Sequence, residues 1–495
     1  MVSPMLLIAA PLGLAFITPL LGLLSERLTR YVPAAAMAFN FTLGLLLLPR
    51  VLREPWIVET AGLRPPFSIH LVAGPLGVGL SLLIALVGLL VSIYAIGYVR
   101  EGPVAKYHTL YLLLLVGATG MVLSADLFNL FVFFEILCIS SYALVGYRGD
   151  RAGIESSAKY LVQGAIGSSL ILLGIGFVYG LFGTLSMADI ARNVDSVTPM
   201  KVFISMAFLI TGFGVEAAVL PLNAWLPDAH SSAPSSISAI LSGIAIKAGL
   251  YAVARVVFTI YGADTMPMLV LLVGILTLLV GEMSAFSQNN IKRLLAYSSI
   301  GQIGLIVFAL GLASASGVQG ALFLVVSHAL AKALLFLSVG YMIYRTGSME
   351  ISSLYGMGRR MPVSSLCFTI GAFSLVGLPP FIGFAAKFTV IRAALAGAAP
   401  LLTALVAIVL LGTVVEGAYF FRIVQGLHFR PPPEGAAPEQ TDQYEAPVSA
   451  LVPICLLAAI IVAVGLYPGV LTKYLGPAAM DLLDKAAYIH HVLGV

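Results

Sequence analysis

The stretch GFGVEAAVLPLNAWLPDAHSSAPSSISAILSGIAIKAGLYAVARV, residues 212–256, decides the class of fold. Two apolar segments flank a polar, proline-containing turn, Leu222 to Ser236, and each segment contains one ionisable residue, Glu216 or Lys247. A charge at the centre of a membrane helix costs about 2.5–3.5 kcal/mol on insertion scales, so it requires a partner, water or a function. We therefore expect the rest of the chain to support this stretch and its counterparts.

The composition indicates a polytopic helical membrane protein. Of the 495 residues, 60% are hydrophobic and 10% are charged, whereas a soluble domain carries about 25% charged residues. Apolar runs of roughly 20 residues, the length that crosses a bilayer as a helix, recur along the whole chain. The three cysteines, Cys138, Cys367 and Cys455, lie singly in apolar segments, so neither a disulfide framework nor a metal site is predicted.

The apolar runs predict about fourteen transmembrane helices. Their approximate limits are 5–24, 31–49, 75–98, 107–125, 126–147, 157–182, 201–228, 235–258, 267–287, 290–312, 319–345, 363–397, 400–424 and 449–468. The seventh is interrupted by Gly212, Gly214 and Pro221, and the twelfth by Gly377 to Pro380. Proline removes an intrahelical hydrogen bond, and broken helices in matching positions indicate an ion or substrate pathway.

The positions of the two broken helices predict an internal repeat. Spans four to eight and nine to thirteen each place the broken helix fourth, and five helices per unit would make the second unit inverted. The predicted divisions are an N-terminal three-helix segment, a first five-helix repeat, a second repeat beginning near residue 267, and a part with a linker, helix 14 and a short tail: 1–106, 107–287, 267–425 and 426–495.

The loop charges predict that both termini lie outside. In that orientation fourteen Lys and Arg residues fall in inner loops and seven in outer loops, and inner loops carry the excess in membrane proteins. The longest inner loop, 425–447, contains Pro431 to Pro433 and several acids, so we expect a solvated cytoplasmic linker.

Charged residues at the predicted membrane depth are few and of both signs. They are Glu135, Glu216, Lys247, Lys332, Lys387 and, less centrally, Glu416. His328 precedes Lys332 by four residues and therefore shares its helix face. Three further charged residues lie nearer the predicted helix ends, where snorkelling to the interface is the simpler explanation: Arg255, Glu282 and Arg392.

Each of these residues has a structural alternative, such as an ion pair for Glu135 or Lys247 and a helix contact for His328 and Lys332. Several unlike charges on different helices of one bundle are harder to explain in that way. Buried carboxylates, amines and imidazoles can change protonation state near neutral pH. The row of charges therefore predicts a proton relay.

Other chemistry finds little support in the sequence. There is no Walker sequence, no dinucleotide fingerprint after a strand and no HExxH, so no cofactor, catalytic residue or metal is predicted. Asp228 and His230 are expected to cap the turn after the seventh span. Asn290 to Arg293 is expected to begin the tenth span with cations that anchor it at the surface. The net charge of +4 gives no indication of nucleic-acid binding.

Several long motifs resemble one family, the antiporter-like membrane subunits shared by respiratory complex I, Mrp-type cation/proton antiporters and membrane-bound hydrogenases. The similar region extends from about residue 107 to 425, and its clearest motifs are FNLFVFFE (128–135), PLNAWLPDAHSSAPSSISAILSGIAIKAGLY (221–251), NIKRLLAYSSIGQIG (290–304), SHALAKALLFLSVG (327–340) and LVGLPPFIGFAAKF (375–388).

The resemblance implies fourteen helices, inverted five-helix repeats and broken helices seven and twelve. It also implies roles for particular residues: Glu135 takes the place of the family's helix-five glutamate, Lys247 of its helix-eight lysine, and Lys387 of its helix-twelve residue. His328 and Lys332 take the places of the helix-eleven pair.

One position departs from the family pattern. Nine residues before Trp225 the family usually has lysine, whereas this chain has Glu216. Two neighbouring acids, Glu135 and Glu216, would share a proton or hold Na⁺; alternatively Lys247 is the partner of one of them. The departure, the short chain, the lysine at 387 and the missing lateral arm favour the Mrp or hydrogenase branch over a complex I subunit.

The expected function is therefore ion translocation, of H⁺ or by Na⁺/H⁺ antiport, by a membrane subunit of a multisubunit complex in a prokaryotic plasma membrane. Glu416 is expected to balance Lys387 in the pathway. The partners would be other membrane subunits and lipid, and the chain would have no redox site of its own. An independent secondary transporter of a small solute and a structural anchor of a redox complex are the alternatives.

Overall fold

A computed structural model describes residues 2–60, 63, 65–66, 68–99, 102–263, 266–431 and 445–494. The described chain is almost entirely helical, and thirteen of its helices are long and apolar enough to cross a membrane. Two of the loop cations counted above, Arg64 and Arg100, and residues 432–444 of the predicted linker lie outside the described residues. The predicted all-α polytopic fold is confirmed.

The N-terminal part consists of α1 (Leu6–Leu24), α2 (Glu26–Thr29), α3 (Val32–Val51), strands β1 (Trp56–Glu59) and β2 (His70–Ala73), and α4 (Pro75–Tyr98). The two strands pair antiparallel, with Trp56 opposite Ala73. This hairpin was not predicted, because its four-residue strands lack the length and alternation that would separate them from a loop in the sequence.

The next part of the chain contains most of the residues assigned above to the first repeat. It consists of α5 (Val104–Leu123), α6 (Leu127–Val145), α7 (Arg151–Phe182), α8 (Met187–Asn193), α9 (Pro199–Glu216), α10 (Trp225–Ser232), α11 (Ser235–Ile240), the π-helical segment π1 (Leu241–Ala245), α12 (Ile246–Ala254) and a second π-helical segment, π2 (Arg255–Gly262). The elements from Ser235 to Gly262 form one continuous span.

The remainder consists of α13 (Pro267–Phe286), α14 (Ile291–Gly311), α15 (Ala315–Thr346), α16 (Met357–Arg360), α17 (Pro362–Val376), α18 (Ile382–Leu395), α19 (Pro400–Phe429), α20 (Val448–Leu466), α21 (Gly469–Leu483) and α22 (Lys485–Leu493). The division of the chain into inverted repeats stays a prediction.

The two predicted helix breaks are confirmed. The seventh span ends at Glu216 and resumes at Trp225, and the indole N–H of Trp225 donates to the carbonyl of Val215, 2.8 Å away. The twelfth span ends at Val376 and resumes at Ile382. Gly377 follows that end with a φ of +87°, a left-handed conformation that suits glycine.

Three spans form the centre of the bundle and are almost completely enclosed by protein: residues 235–262, α14 and α15. The outer helices α1 and α7 expose most of their apolar side chains, as expected for helices that face lipid or another subunit. The charged residues predicted at membrane depth fall into two groups: some lie on these central spans, and the others lie on the helices that pack around them.

Glycines allow α13 and α14 to pack with their backbones in contact. A Cβ atom at Gly304 would lie 2.2 Å from the backbone nitrogen of Leu278, and one at Gly281 would lie 2.3 Å from the backbone nitrogen of Gly301. Small residues at such crossings are the usual means of close helix packing in membranes, where burial from water gives little driving force.

Gly304→Ala is expected to lower the free energy of unfolding by about 1–3 kcal/mol, the usual effect of overpacking, because the backbone of α13 cannot move away easily. The measurement is thermal unfolding in detergent. The control is Gly180→Ala on α7, where an added Cβ meets no atom within 4 Å. Equal melting temperatures for the two variants would contradict the close packing.

Candidate functional site

The centre of the site is α14, which binds Lys332 directly and contacts the serine whose carbonyl binds Lys247. Lys332 on α15 is fully buried, and its ammonium group donates to the carbonyl of Leu295, 2.9 Å away, and to the hydroxyl of Ser298. Ser299 lies on the other side of the same turn, with its hydroxyl 2.9 Å from that of Ser242. The sequence YSSIGQ on α14 therefore links the two lysine-bearing helices.

Lys247 is bound through a local distortion of its own helix. Its ammonium group donates to the carbonyl of Ser242. That carbonyl lies in π1, where the N–H of Ile246 bonds to Leu241 instead of Ser242. A π-helical turn thus frees the oxygen that the lysine uses, and such turns are frequent at functional sites.

Two histidines lie beside these lysines without hydrogen-bond partners. His328 on α15 and His230 on α10 are both buried, and no ring nitrogen of either one has a partner among the described residues. Lys247 and Lys332 lie within electrostatic range of both rings. Buried polar atoms without partners are uncommon, so we add His230 to the candidate site residues, among which the sequence had not placed it.

The predicted capping role of Asp228 and His230 is wrong. Asp228 instead forms salt bridges with Arg293, at 2.7 Å, and Lys159, at 3.1 Å. His230 stacks on Phe336 with 5.0 Å between ring centroids. Sequence reasoning missed these contacts because the partners come from α7, α14 and α15, which are distant along the chain.

The predicted surface anchoring of Lys292 is also wrong. Asn290 caps α14, as its oxygen accepts from the backbone nitrogens of Lys292 and Arg293. Lys292, however, is 2% exposed and donates to the carbonyl of Ala233 between α10 and α11. A cation predicted at the interface is therefore another buried member of the central group.

On the far side of α14, Lys387 and Glu416 form a buried ion pair. The ammonium group lies 2.7 Å from the Glu416 carboxylate and 3.2 Å from the carbonyl of Val376, the last residue before the helix break. The second carboxylate oxygen of Glu416 accepts from the amide of Gln302, 2.7 Å away. The break in the twelfth span thus provides one of the ligands of its lysine.

Glu282 is buried rather than snorkelling, which corrects the sequence-based interpretation. It is 1% exposed and accepts a 2.8 Å hydrogen bond from the hydroxyl of Tyr419, which also contacts Ser298. Glu282 and Glu416 both lie within electrostatic range of Lys332. Arg392, another charged residue predicted to snorkel from a helix end, is exposed as predicted.

The two acids of the first half lie in separate hydrogen-bonded groups. Glu216 is 1% exposed and accepts from the hydroxyl of Tyr160, 2.8 Å away, and from the thiol of Cys138, 3.5 Å away. Glu135 is half-buried and accepts from the hydroxyl of Ser168. Among the described residues no hydrogen bond joins the two carboxylates, and a shared proton or Na⁺ stays a prediction.

The end of α9 packs directly against the lysine-bearing helix. A Cβ atom at Gly249 would lie 2.6 Å from the backbone nitrogen of Ala217 and 3.0 Å from the Cβ of Glu216. Residues two apart on a helix face opposite sides. This crossing therefore brings the end of α9 to the helix that carries Lys247, while the Lys247 ammonium group bonds to Ser242 instead.

Comparison with known proteins identifies the family of the chain. The family described as NADH:quinone oxidoreductase/Mrp antiporter, transmembrane, matches residues 124–413. The chain belongs to this family. Every predicted site residue lies inside the matched region except Glu416, which lies three residues beyond its end.

Individual relatives of the family cover nearly the whole chain. NADH-quinone oxidoreductase subunit N of Desulforudis audaxviator is 34% identical over 94% of this chain and 95% of its own length. A chain of the membrane-bound sulfane sulfur reductase, an archaeal respiratory membrane complex, superimposes with a TM-score of 0.91 at 37% identity, over 98% of this chain and 99% of its own. For the Mrp complex from Dietzia sp. DQ12-45-1b, the TM-score is 0.90 at 25% identity, over 99% of each chain.

These relatives include both a complex I type of subunit and a chain of an Mrp complex. The chain is therefore a multi-pass membrane protein of this family, and the preference for the Mrp or hydrogenase branch stays a prediction. Several residues of the site had no sequence signal of their own, since serine, glutamine and tyrosine are ordinary in membrane helices: Tyr160, Ser242, Ser298, Ser299, Gln302 and Tyr419.

Glu416→Leu is expected to destabilise the protein by about 3–5 kcal/mol, because it leaves the Lys387 ammonium buried without its counter-charge. The double variant Lys387→Met/Glu416→Leu should recover most of that loss, since an apolar pair of similar volume replaces the ion pair. Thermal unfolding of both variants in detergent measures the difference. A double variant as unstable as the single one would show that the pair is not an independent unit.

Proposed function

We propose that this chain translocates H⁺ across the membrane as a subunit of a multisubunit complex, with Na⁺/H⁺ antiport as the specific alternative. The observation that supports this most directly is the cluster of polar groups that links the two central lysines through α14. Lys247 donates to the carbonyl of Ser242, whose hydroxyl lies 2.9 Å from that of Ser299. Ser299 and Ser298 both donate to the carbonyl of Leu295, which also accepts from the Lys332 ammonium group.

A second group continues the set toward α18 and α19. Tyr419 joins Ser298 to Glu282, and Gln302 orients Glu416 toward Lys387. Each group is a hydroxyl, a carboxylate, an amide or an amine, all of which hydrogen-bond to water or to one another. A proton taken up near the acids of the first half could therefore pass the lysine and histidine centre and reach the Lys387–Glu416 pair.

In this proposal the central lysines exchange protons, and changes in the charge of the acids and histidines alter the electrostatic potential at those lysines. Lys332 has no carboxylate within hydrogen-bond distance among the described residues, so its ammonium group is held only by neutral oxygens. A lysine in that position releases its proton more readily than an ion-paired one. Lys387, which does have a carboxylate partner, is suited to hold a proton at the end of the row.

Similarity to known proteins supports a setting within a larger complex. Those relatives are a quinone oxidoreductase subunit, a chain of a respiratory membrane complex and a chain of an Mrp complex, and we propose that this chain likewise works beside other membrane subunits. The driving force would come from those partners or from an existing ion gradient. We place the chain in a prokaryotic plasma membrane, with both termini outside as the loop charges predict.

A solute transporter is less well supported than ion translocation. It would require a cavity with polar groups at mid-depth. A cavity of about 210 Å³ does lie between α3, α4, α15 and α21, but its lining is almost entirely leucine and other apolar residues, and it includes none of the charged row. A purely structural anchor, the other alternative, predicts that neutralising the row has no effect on ion flux.

Lys247→Ala is expected to abolish ion flux in vesicles that contain the intact complex, because it removes the amine at the junction of the two halves. A pH-sensitive and a Na⁺-sensitive dye would be recorded together, so that the silent dye identifies the ion. Lys473→Ala, which changes an exposed lysine on α21, is the matched control and should retain flux. Normal flux in an assembled Lys247→Ala complex would favour the anchor alternative.

Glu216→Lys restores the residue that the family usually has at this position and separates two roles for the acid. If Glu216 acts only as a variant of the proton switch, H⁺ flux is expected to persist at any Na⁺ concentration. If Glu216 binds Na⁺, the variant should lose the Na⁺ dependence of flux, because the added ammonium repels the cation. The measurement is H⁺ flux against Na⁺ concentration in wild-type and variant vesicles.

A further inference from the structure

A line of polar side chains leads away from the central site along the lysine-bearing helix. Lys247, Tyr251, Arg255 and Thr259 are spaced four residues apart, so they lie along one face of α12 and π2. Tyr251, Arg255 and Thr259 are all buried and are hydrogen-bonded in sequence. The line runs to the end of the span at Gly262, where the C-terminal helices pack.

Arg255 is the central residue of this line, and it does not snorkel as its position near a predicted helix end had suggested. It is 3% exposed. Its guanidinium donates to the hydroxyl of Tyr251 at 3.0 Å, to the backbone carbonyl of Asp481 at 2.8 Å and to the carboxylate of Asp481 at 3.2 Å. The other oxygen of that carboxylate accepts from the backbone nitrogen of Leu76, 3.0 Å away, at the start of α4.

Stability alone does not account for such a pair. A buried ion pair commonly contributes no more than an apolar pair of the same volume, because both charges lose their hydration. The C-terminal helix α21 already packs on α4 and α15 through apolar residues such as Leu475, Ala479 and Leu482. Packing of α21 therefore does not require the Arg255–Asp481 ion pair, and another role has to explain it.

Cavities lie on both sides of the pair. The inner cavity, of about 30 Å³, has two polar lining residues, Lys247 and Tyr251, and is otherwise lined by apolar side chains such as Ala254 and Leu482. That volume corresponds to about one water molecule. It connects the ammonium group of the central site with the tyrosine that holds Arg255.

The outer cavity, of about 160 Å³, is lined by Asp481, Asp484, Tyr488 and His491 together with apolar residues. His491 is exposed, so this cavity reaches the surface. Arg255 lies between the two cavities and faces an aromatic ring from each of them: its guanidinium carbon is 5.5 Å from the ring centre of Tyr251 and 5.3 Å from that of Tyr488.

We propose that Arg255 and Asp481 form the gate of an ion pathway that leads from Lys247 to the surface at α21 and α22. The proposal rests on the proposed function, because it specifies where the central site exchanges ions with solvent. In the predicted orientation this surface is the outer one.

The pathway transfers protons only, so no oxidant or reductant takes part. A proton leaving the Lys247 ammonium is accepted by water in the inner cavity, which passes a proton to the Tyr251 hydroxyl as that hydroxyl gives its own proton onward. With the pair closed, the positive guanidinium blocks transfer beyond this point. When Arg255 moves from Asp481 toward the ring of Tyr488, the carboxylate accepts the proton and releases it to water in the outer cavity.

The test is the accessibility of the inner cavity to a membrane-impermeant methanethiosulfonate added to one face of vesicles holding the complex. Ala254→Cys reports on the inner cavity and Ala487→Cys on the outer one. Peptide mass spectrometry identifies the modified residue, so the native Cys138, Cys367 and Cys455 do not interfere. Ala487→Cys should react from one face only, and Ala254→Cys should react slowly.

Opening the gate should change only the inner reporter. Adding Asp481→Asn is expected to raise the reaction rate of Ala254→Cys about ten-fold, from the same face as Ala487→Cys, because the open state becomes more populated. Asp484→Asn is the matched control: Asp484 lines the same outer cavity and caps α22, and it should leave the rate unchanged. Arg255→Lys, which keeps the charge without the forked contact, should raise the rate as well and serves if the asparagine variant does not assemble.

Two results would overturn the proposal. One is an unchanged rate at Ala254→Cys in both gate variants. The other is a general loosening of the tail, shown by an equal rise with Asp484→Asn or by new reactivity of Ala479→Cys, which is buried on α21 away from both cavities. Because the labelling does not depend on transport, it can fail while Lys247→Ala still abolishes flux, which would leave the proposed function standing and remove only this route.

Discussion

Four lysine ammonium groups are buried inside the helix bundle and require oxygen partners, and much of the geometry of the described site supplies those partners. Lys247, Lys292, Lys332 and Lys387 are each less than 9% exposed. Among the described residues, Lys387 alone of these four has a carboxylate within hydrogen-bond distance. A buried charge without partners costs several kcal/mol, so each of the other three must be satisfied by carbonyl or hydroxyl oxygens.

Irregularities of the helices provide most of those oxygens. A π-helical turn frees the carbonyl of Ser242 for Lys247, and the break after α17 leaves the carbonyl of Val376 for Lys387. The gap between α10 and α11 leaves the carbonyl of Ala233 for Lys292. A regular helix engages its carbonyls internally, so non-helical backbone at membrane depth is tolerated only where other groups satisfy it. In this protein the helix irregularities leave carbonyl oxygens free, and the buried lysines bond to those oxygens.

The central helix α14 is regular, and it acts through its side chains instead. Ser298, Ser299 and Gln302 lie on adjacent turns and contact groups from α15, π1 and α19. On the face toward α13, glycines let the two helix backbones approach closely. The same helix thus makes a close packing contact and carries polar side chains of the site.

The sequence by itself determined the class of fold, the approximate spans, both helix breaks and the charged residues of the row. Apolar length, proline and isolated charges are local signals, and each has a large energetic consequence in a bilayer. Only the tertiary structure decided which partners these charges have. The burial of Glu282, Lys292 and Arg255, and the roles of Ser298 and Tyr419, depend on atoms from helices far apart in the chain, and no local pattern encodes those distances. A charge near a helix end is equally compatible with the interface and with the interior, because the choice depends on what the neighbouring helices offer.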